Sequence, residues 1–520
     1  MNTPRTVSPR SPGAGADAVP GGVPLPMLLD GLADAQRARD VRVTGVESYS
    51  RNVSAGDLYL ALQGSHAHGL DFVPEAVRRG ANAVVWEGAR GGGGEHGAPG
   101  EHGAPAAPAV AMVRVDGLRD KVGVIAGRFF GHPSRELSVV AVTGTDGKTS
   151  VSHFIAEALS LSGRRCGLIG TLGHGEFGRL VPGVNTTPDA LALNREMRRL
   201  RDAGVGHVVL EASSHGLDQG RLNGLDVDIA VFTNLGADHC DYHGSLEQYA
   251  AAKKRLFLMP GLDCAVINRD DDYAAQLMAA CRPGTRVITC SALSDAADVF
   301  ITKTTQTADG LGIEARVGGD AVLIRAPLFG RFNAANLAAA LAALTAAGVG
   351  AREAASLLSR VHPVRGRMQR FGGGAAPVVV LDYAHTPQAL EKALATCREL
   401  GAARLACVFG CGGERDRAKR PLMGAAAARL ADRVVVTDDN PRTEDPDAIV
   451  SDILSAVADR RNVEVVRDRA RAIEAAVADA GAGDIVLVAG KGHETRQLVA
   501  GQSLPFDDAE VIRRALGARA

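Results

Sequence analysis

Short apolar runs alternate with stretches of helical spacing along most of this chain. Val139 to Val142 is an unbroken run of β-branched or small residues and predicts a buried strand. Gly144-Thr-Asp-Gly-Lys-Thr149 follows, and then Val151 to Leu161 with the 3.6-residue spacing of a helix. The segment therefore reads as strand, glycine loop, helix. The same alternation continues through His207–Glu211, Ile229–Thr233 and Cys264–Asn268, and predicts a parallel sheet covered by helices. Alanine-rich residues from Asn336 onward predict a helix. Beyond His362, four more apolar runs (378–382, 405–409, 433–437 and 484–489) predict a second open α/β sheet.

The N-terminal part is less regular. Val41–Val46, Asp57–Leu62 and Ala83–Trp86 read as short strands, and Phe72–Gly80 as a helix. Residues 1–24 are rich in Pro, Gly, Ala, Val and Ser and read as a disordered tail. Residues 89–108 contain a run of four glycines and two copies of Glu-His-Gly-Ala-Pro, the composition of a low-complexity surface loop. The expected fold class is α/β in three domains: a smaller N-terminal α/β domain (25–134), a central P-loop-type ATPase sheet (135–361) and a C-terminal doubly wound, Rossmann-like sheet (362–520).

Composition narrows the function. A net charge of −1 over 520 residues offers no field for nucleic acid or an anionic membrane, and 4% aromatics is too few for base-stacking platforms. No apolar run is long enough to span a bilayer, and the N-terminus lacks a secretory h-region. The eight scattered cysteines, none in a Cys-x-x-Cys pair, read as reduced thiols of a cytoplasmic protein.

The glycine loop carries the first chemistry. Gly144 and Gly147 allow a tight turn that presents N–H groups to an anion, Lys148 adds a positive charge, and Thr149 a hydroxyl able to ligate Mg²⁺. The helix after it points its N-terminus at the loop, which favours phosphate. The general phosphate-loop pattern wants glycine at 142, where this chain has Val142, so the loop is a variant. Glu211 and His239 lie beyond strand ends on the same side, and with Thr149 could hold Mg²⁺ against ATP.

Gly144–Thr149, Asp238-His239 with His243-Gly244, and Asp382-Tyr-Ala-His-Thr-Pro387 together resemble the signature set of the Mur ligases, over a span from about residue 41 to the C-terminus. The resemblance implies an ATP-dependent amide ligase of bacterial peptidoglycan precursor synthesis. Its Asp439-Asn440-Pro441-Arg442 run is the pattern of the members that add meso-2,6-diaminopimelate to UDP-N-acetylmuramoyl-L-alanyl-D-glutamate. The expected partners are these two substrates and ATP, with Mg²⁺ as cofactor, acting on a cytoplasmic monomer.

Site residues follow by position. Gly144, Thr145, Asp146, Gly147, Lys148, Thr149, Asn333, Asn336, Arg367 and Asp382 would bind ATP. Lys148, Glu211, His239 and Lys253 would be catalytic, and Thr149, Glu211, His239 and Lys253 would surround the metal. Lys253 stands where the family carries a carbamylated lysine; an ammonium cannot ligate Mg²⁺, whereas its carbamate can. Ser48, Ser50, Ser65, His66 and Ala67 would hold the uridine end, and Asn185, Thr186, Thr187, Ser213, Gln219 and Arg221 the muramoyl dipeptide. Arg415, Asp439, Asn440, Pro441, Arg442, Gly490 and Glu494 would bind diaminopimelate. Two arginines and a carboxylate suit an amino acid whose far end carries both a carboxylate and an ammonium, and L-lysine lacks that carboxylate.

One position departs from the family: Asp146 replaces the usual asparagine, and an anion beside a triphosphate is repulsive unless a metal or partner compensates it. The alternatives are a related ligase adding another amino acid such as L-lysine, a folylpolyglutamate synthetase, or a non-catalytic ATP-binding protein. The last would not need Glu211, His239 and Lys253 together.

Overall fold

A computed structural model describes residues 19–64, 67–87, 110–236, 238–307, 309–459 and 461–518. The expected disorder of residues 1–18 and the low-complexity loop at 89–108 lie outside the described residues. The rest of the expected tail is structured. Val23–Pro24 pairs antiparallel with Arg42–Val43, and the Val19 N–H bonds the Thr44 carbonyl. Directly after this strand, Leu25, Leu28 and Leu29 are fully buried, so the chain here has a core to join.

The N-terminal sheet has four parallel strands in chain order, Gly45–Glu47, Asp57–Ala61, Ala83–Glu87 and Ala111–Val115. The single strand expected at 41–46 is divided at Thr44, whose N–H turns to the Gly56 carbonyl. One half pairs with Val23–Pro24 and the other joins the sheet.

The central sheet has ten strands in the order Asp320–Ala326, Gly310–Val317, Val299–Thr307, Arg286–Ser291, Cys264–Asn268, Ile229–Phe232, Ser138–Thr143, His207–Glu211, Cys166–Gly170, Gly173–Glu176. Its middle is parallel and both edges are antiparallel. Ser138–Thr143 therefore sits between Ile229–Phe232 and His207–Glu211, and Glu211 pairs in register with Val142. This places Glu211 and Thr233 beside the loop that leaves the strand. Helix Lys148–Leu161 packs on helix Phe332–Ala346, in which six consecutive positions from Ala338 to Ala343 are buried. Small side chains allow a helix to be buried on all faces with its neighbours close.

The C-terminal sheet has the order Gln369–Gly372, Val378–Asp382, Ile485–Ala489, Leu405–Phe409, Arg433–Val436, Val463–Val465, parallel except for its first pair. A hairpin, Arg496–Val499 with Gln502–Pro505, lies outside it. Where the chain passes from the central to the C-terminal sheet, the His362 N–H donates to Glu157 Oε2 at 3.0 Å and its ring Nδ1 meets Oε1 at 2.5 Å. That contact ties the connecting segment to the helix after the glycine loop. The seven cysteines with described side chains are free thiols, five of them with a thiol pKa raised to 12 or beyond by burial.

Candidate active site

The glycine loop is shaped by what surrounds it. Gly144 has φ +150° and Gly147 φ +83°, and a Cβ at Gly147 would stand 2.5 Å from Asn336 Oδ1. A Cβ at Gly144 would lie 1.8 Å from Thr233 Oγ1, so neither position has room for a side chain. The Thr145 N–H donates to the Asn234 carbonyl and the Asp146 N–H to Asn234 Oδ1, each at 2.9 Å. Thr145 Oγ1 meets Tyr249 Oη at 3.1 Å. Lys148 Nζ donates back to the carbonyls of Gly144 at 2.9 Å and Thr145 at 2.8 Å. Those donors are the ones that an arriving phosphate would take over.

Thr149 Oγ1 donates to Glu211 Oε2 at 2.9 Å. Glu211 is fully buried and accepts also from the Thr171 N–H at 2.8 Å and Thr171 Oγ1 at 3.0 Å. Lys253 is 1% exposed; its Nζ donates to the Gly144 carbonyl at 2.6 Å and lies 4.1 Å from the Tyr249 ring centroid. Burial, reinforced by the charge of Lys148, holds the Lys253 ammonium well below its ordinary pKa. Burial also lowers Lys148, against the charges of Glu211, Asp146 and Asp238. Asp146 is exposed, and its carboxylate offsets part of that lowering.

The C-terminal sheet completes the site. Arg367 Nη2 reaches Thr149 Oγ1 at 3.4 Å, and its guanidinium lies 4.5 Å from the Tyr383 ring centroid. Asp382 accepts from the Met368 and Ala384 N–H groups at 2.7 and 2.8 Å, and burial raises its carboxyl despite Arg367. Loop, Glu211, Lys253, Arg367 and Asp382 line one cavity of about 650 Å³, with Asn185, Thr186, Thr187, Ser213 and Arg221 along another wall. Arg221 donates to Gln219 Oε1 and holds Gln219 just behind that wall.

Other expected residues stand apart. Asn333 does not line this cavity but fixes Asn336, whose Nδ2 donates to Asn333 Oδ1 at 2.8 Å. Ser48, Ser50 and Ala67 lie in connections of the N-terminal domain and do not line the cavity either. The Ser50 hydroxyl is spent on Glu75 Oε2 at 2.7 Å, and the Ala67 carbonyl accepts from the Gly64 N–H at 2.9 Å. Ser65 and His66 lie outside the described residues. His239 lines the cavity in a left-handed conformation, φ +53°, 3.4 Å from Asp238. Among the described residues no three His, Cys, Asp or Glu side chains are arranged to hold a metal. The donors that are in contact, one hydroxyl and one carboxylate, suit Mg²⁺, which takes much of its octahedral shell from phosphate oxygens and water.

A second cluster gathers beyond the strands of the C-terminal sheet. Arg442, φ +57°, donates from Nη1 to the Gly413 carbonyl at 2.6 Å, and its N–H bonds the Leu498 carbonyl of the hairpin. Burial and the neighbouring charge of Arg415 push the Arg442 guanidinium below its ordinary pKa, so this corner favours an added anion. Asn440 and Glu494 face each other at 2.8 Å. Asp439 is buried under the loop, where a Cβ on Gly490 (φ +109°) would lie 2.6 Å from its Oδ2. Arg420, wholly buried, makes a two-pronged bond to Glu444 at 2.7 and 2.8 Å, and donates to the Gly412 carbonyl at 3.1 Å. It ties the 410–415 loop to the 438–444 loop. Sequence reading did not single out Thr171, Arg420 or Lys491; only the glycine-lysine-glycine-histidine-glutamate stretch at 490–494 carried a local signal for the last.

A phosphate loop in one domain, closed over by a cation and a carboxylate from another, is the arrangement of a three-domain ligase driven by ATP. Family models match as the Mur ligase family catalytic domain over residues 42–129, the Mur ligase middle domain over 142–344, and the Mur ligase glutamate ligase domain over 366–492. The chain belongs to the Mur ligase family. It is 48% identical to the UDP-N-acetylmuramoyl-L-alanyl-D-glutamate--2,6-diaminopimelate ligase of Chromobacterium violaceum, over 91% of this chain and 94% of that one. Identity to the ligase of the same name from Pseudomonas aeruginosa is 48%, over 95% and 99%. A solved structure of such a ligase superposes with TM-score 0.68 at 35% identity, over 96% of this chain and 99% of that one. Mycobacterium tuberculosis folylpolyglutamate synthase, at 22% identity and TM-score 0.60 over 70% and 91%, shares the fold.

Proposed function

We propose that this chain joins meso-2,6-diaminopimelate to the D-glutamyl carboxylate of UDP-N-acetylmuramoyl-L-alanyl-D-glutamate, with ATP converted to ADP and phosphate. The observation that carries this reading is the single cavity in which the phosphate loop meets Arg367 and Asp382 on one side and Asn185–Thr187 with Arg221 on the other. The glutamyl carboxylate, held by the Thr and Asn side chains and Arg221, attacks the γ-phosphate to form an acyl phosphate. The amine of diaminopimelate then attacks that acyl group and phosphate leaves. Lys148 offsets the charge of carboxylate and triphosphate as they approach. Mg²⁺, held by Thr149 and Glu211 with His239 and a Lys253 carbamate nearby, would supply further charge neutralisation. The third domain excludes water from the acyl phosphate. We place the reaction in the cytoplasm, where ATP and the nucleotide sugar are available.

Specificity falls to Arg442 and Arg415, and the distal carboxylate of diaminopimelate relieves the repulsion between them. The test is phosphate release with the nucleotide dipeptide, ATP, and either diaminopimelate or L-lysine. Wild-type protein turns over with diaminopimelate and poorly with lysine. Arg442→Met lowers kcat/KM for diaminopimelate about 100-fold, the loss of a charge-assisted bond, and leaves lysine nearly unchanged. Equal losses for both amino acids would show that Arg442 only shapes the loop.

Lys253 is poised for carbamylation. Carbamate formation needs the neutral amine, and burial together with the charge of Lys148 lowers the Lys253 pKa and so favours that form. Protein equilibrated with ¹³C-bicarbonate gives a carbamate carbon resonance that Lys253→Ala abolishes. A resonance that persists in Lys253→Ala assigns the carbamate to another amine.

A further inference from the structure

Lys491 is wholly buried, and the mechanism above does not use it. Its ammonium has three N–H donors and three acceptors: Asn440 Oδ1 at 3.0 Å, Glu494 Oε2 at 2.8 Å and the Arg496 carbonyl at 2.7 Å. No donor is left for a ligand. Two of its three partners, however, Asn440 and Glu494, are groups that the reading above sets against the amino acid.

The bonds fix both orientations. Asn440 Oδ1 accepts from Lys491 and from the Leu498 N–H at 3.0 Å, which occupies its two lone pairs. Its Nδ2 must then point to Glu494, where it donates to Oε2 at 2.8 Å. A flipped amide would set oxygen against a carboxylate and NH₂ against an ammonium. Both bonds to Glu494 therefore fall on Oε2. Oε1 has no protein donor among the described residues, and the side chain is 31% exposed while Lys491 is 0% exposed. The pair runs from a dry ammonium to a carboxylate with one oxygen open.

Lys491 also sustains the charge on Glu494. Burial pushes that carboxyl up, but the charge of Lys491 and the two bonds to Oε2 outweigh it and leave it below the usual range. Asp439 lies close by, buried, and the two carboxylates raise one another's cost. Removing Lys491 leaves two neighbouring carboxylates with less positive charge between them.

We propose that Lys491 is a positioning residue that turns Glu494 so that Oε1 receives the ammonium at the far end of the amino-acid substrate, and thereby sets the preference for a diamino over a monoamino acid. The inference rests on the reading above, in which Glu494 faces that ammonium.

The experiment compares meso-diaminopimelate with 2-aminopimelate, which keeps the distal carboxylate and lacks the distal ammonium. The quantity read is the ratio of their kcat/KM values. Lys491→Met lowers this ratio about tenfold or more, in keeping with a lost bond to a charged group. KM for ATP and kcat/KM for 2-aminopimelate change little. In a Glu494→Gln background the same substitution no longer changes the ratio. Equal losses for both amino acids, or a ratio effect that survives Glu494→Gln, would overturn the role of Lys491. Should Glu494→Gln by itself leave the ratio at its wild-type value, the underlying placement of the ammonium fails instead. If Lys491→Met does not fold, Lys491→Arg, which keeps the charge but cannot set its donors on the same three acceptors, is read for the same fall in the ratio.

Discussion

Lys148→Met lowers kcat about 1000-fold, the upper part of the range for removing one preorganised charge from a water-poor site. In the reaction two anions, a carboxylate and a triphosphate, must meet in the cavity. Lys148 is the ammonium that the loop itself delivers there, resting on the Gly144 and Thr145 carbonyls. Methionine keeps the length of the side chain and suits the first turn of helix Lys148–Leu161. It also removes a half-buried charge whose desolvation already lowers the lysine pKa, which offsets the loss of its two bonds, so folding stability changes little. The measurement is single-turnover conversion of ATP to ADP alongside thermal unfolding. A kcat within tenfold of wild type at an unchanged Tm would remove Lys148 from the chemistry.

The largest expected effect on stability lies in the C-terminal domain. Arg469 and Asp508 are both 0% exposed and joined by two bonds of 2.8 and 2.7 Å. Arg469 Nη2 also donates to the Ala489 carbonyl at 3.0 Å, at the end of the strand that leads to Gly490 and Lys491. Asp508→Ala strands a guanidinium that cannot deprotonate, and costs about 3–5 kcal/mol. The urea midpoint falls with no change in m. Replacing both partners with apolar residues, Arg469→Met with Asp508→Leu, recovers most of that loss, because a buried pair repays little more than its own desolvation. A double variant as unstable as Asp508→Ala would mean that the bond to Ala489 is the larger contribution.

The central strands and their loops were legible because parallel strands buried on both faces leave continuous apolar runs. Val139–Val142 and the four runs of the C-terminal domain are of that kind, and each lies within an observed strand or overlaps it closely. The antiparallel edge was not legible. Asp320–Ala326 alternates exposed and buried positions, and Gly173–Glu176 is half glycine, so neither presents an apolar run. The site divides along the same line. Residues set in a compact motif, Gly144 to Thr149 or Asp439 to Arg442, announce themselves. Thr171 bonds Glu211, 40 positions away, and Lys491 bonds Asn440, 51 positions away, as well as its near neighbour Glu494; no local pattern encodes the distant partners. Ser50, expected at the uridine end, shows the converse, since its hydroxyl is engaged by Glu75 inside its own domain.

The walls around the phosphate loop also say where its sequence is able to drift. Gly144 and Gly147 are pressed against Thr233 and Asn336, Thr145 is bonded to Tyr249, Lys148 is held by two carbonyls, and Thr149 is held by Glu211. A substitution at Gly144, Thr145, Gly147 or Thr149 disturbs a contact with a distant part of the domain, whereas Lys148 is held within the loop itself. At position 146 the hydrogen bonds to Asn234 and Thr233 are made by the backbone, while the side chain is exposed and acts on Lys148 through its charge alone. It is also where aspartate stands in place of the asparagine that the resemblance leads one to expect, so the loop departs from that pattern at a position whose side chain no wall constrains.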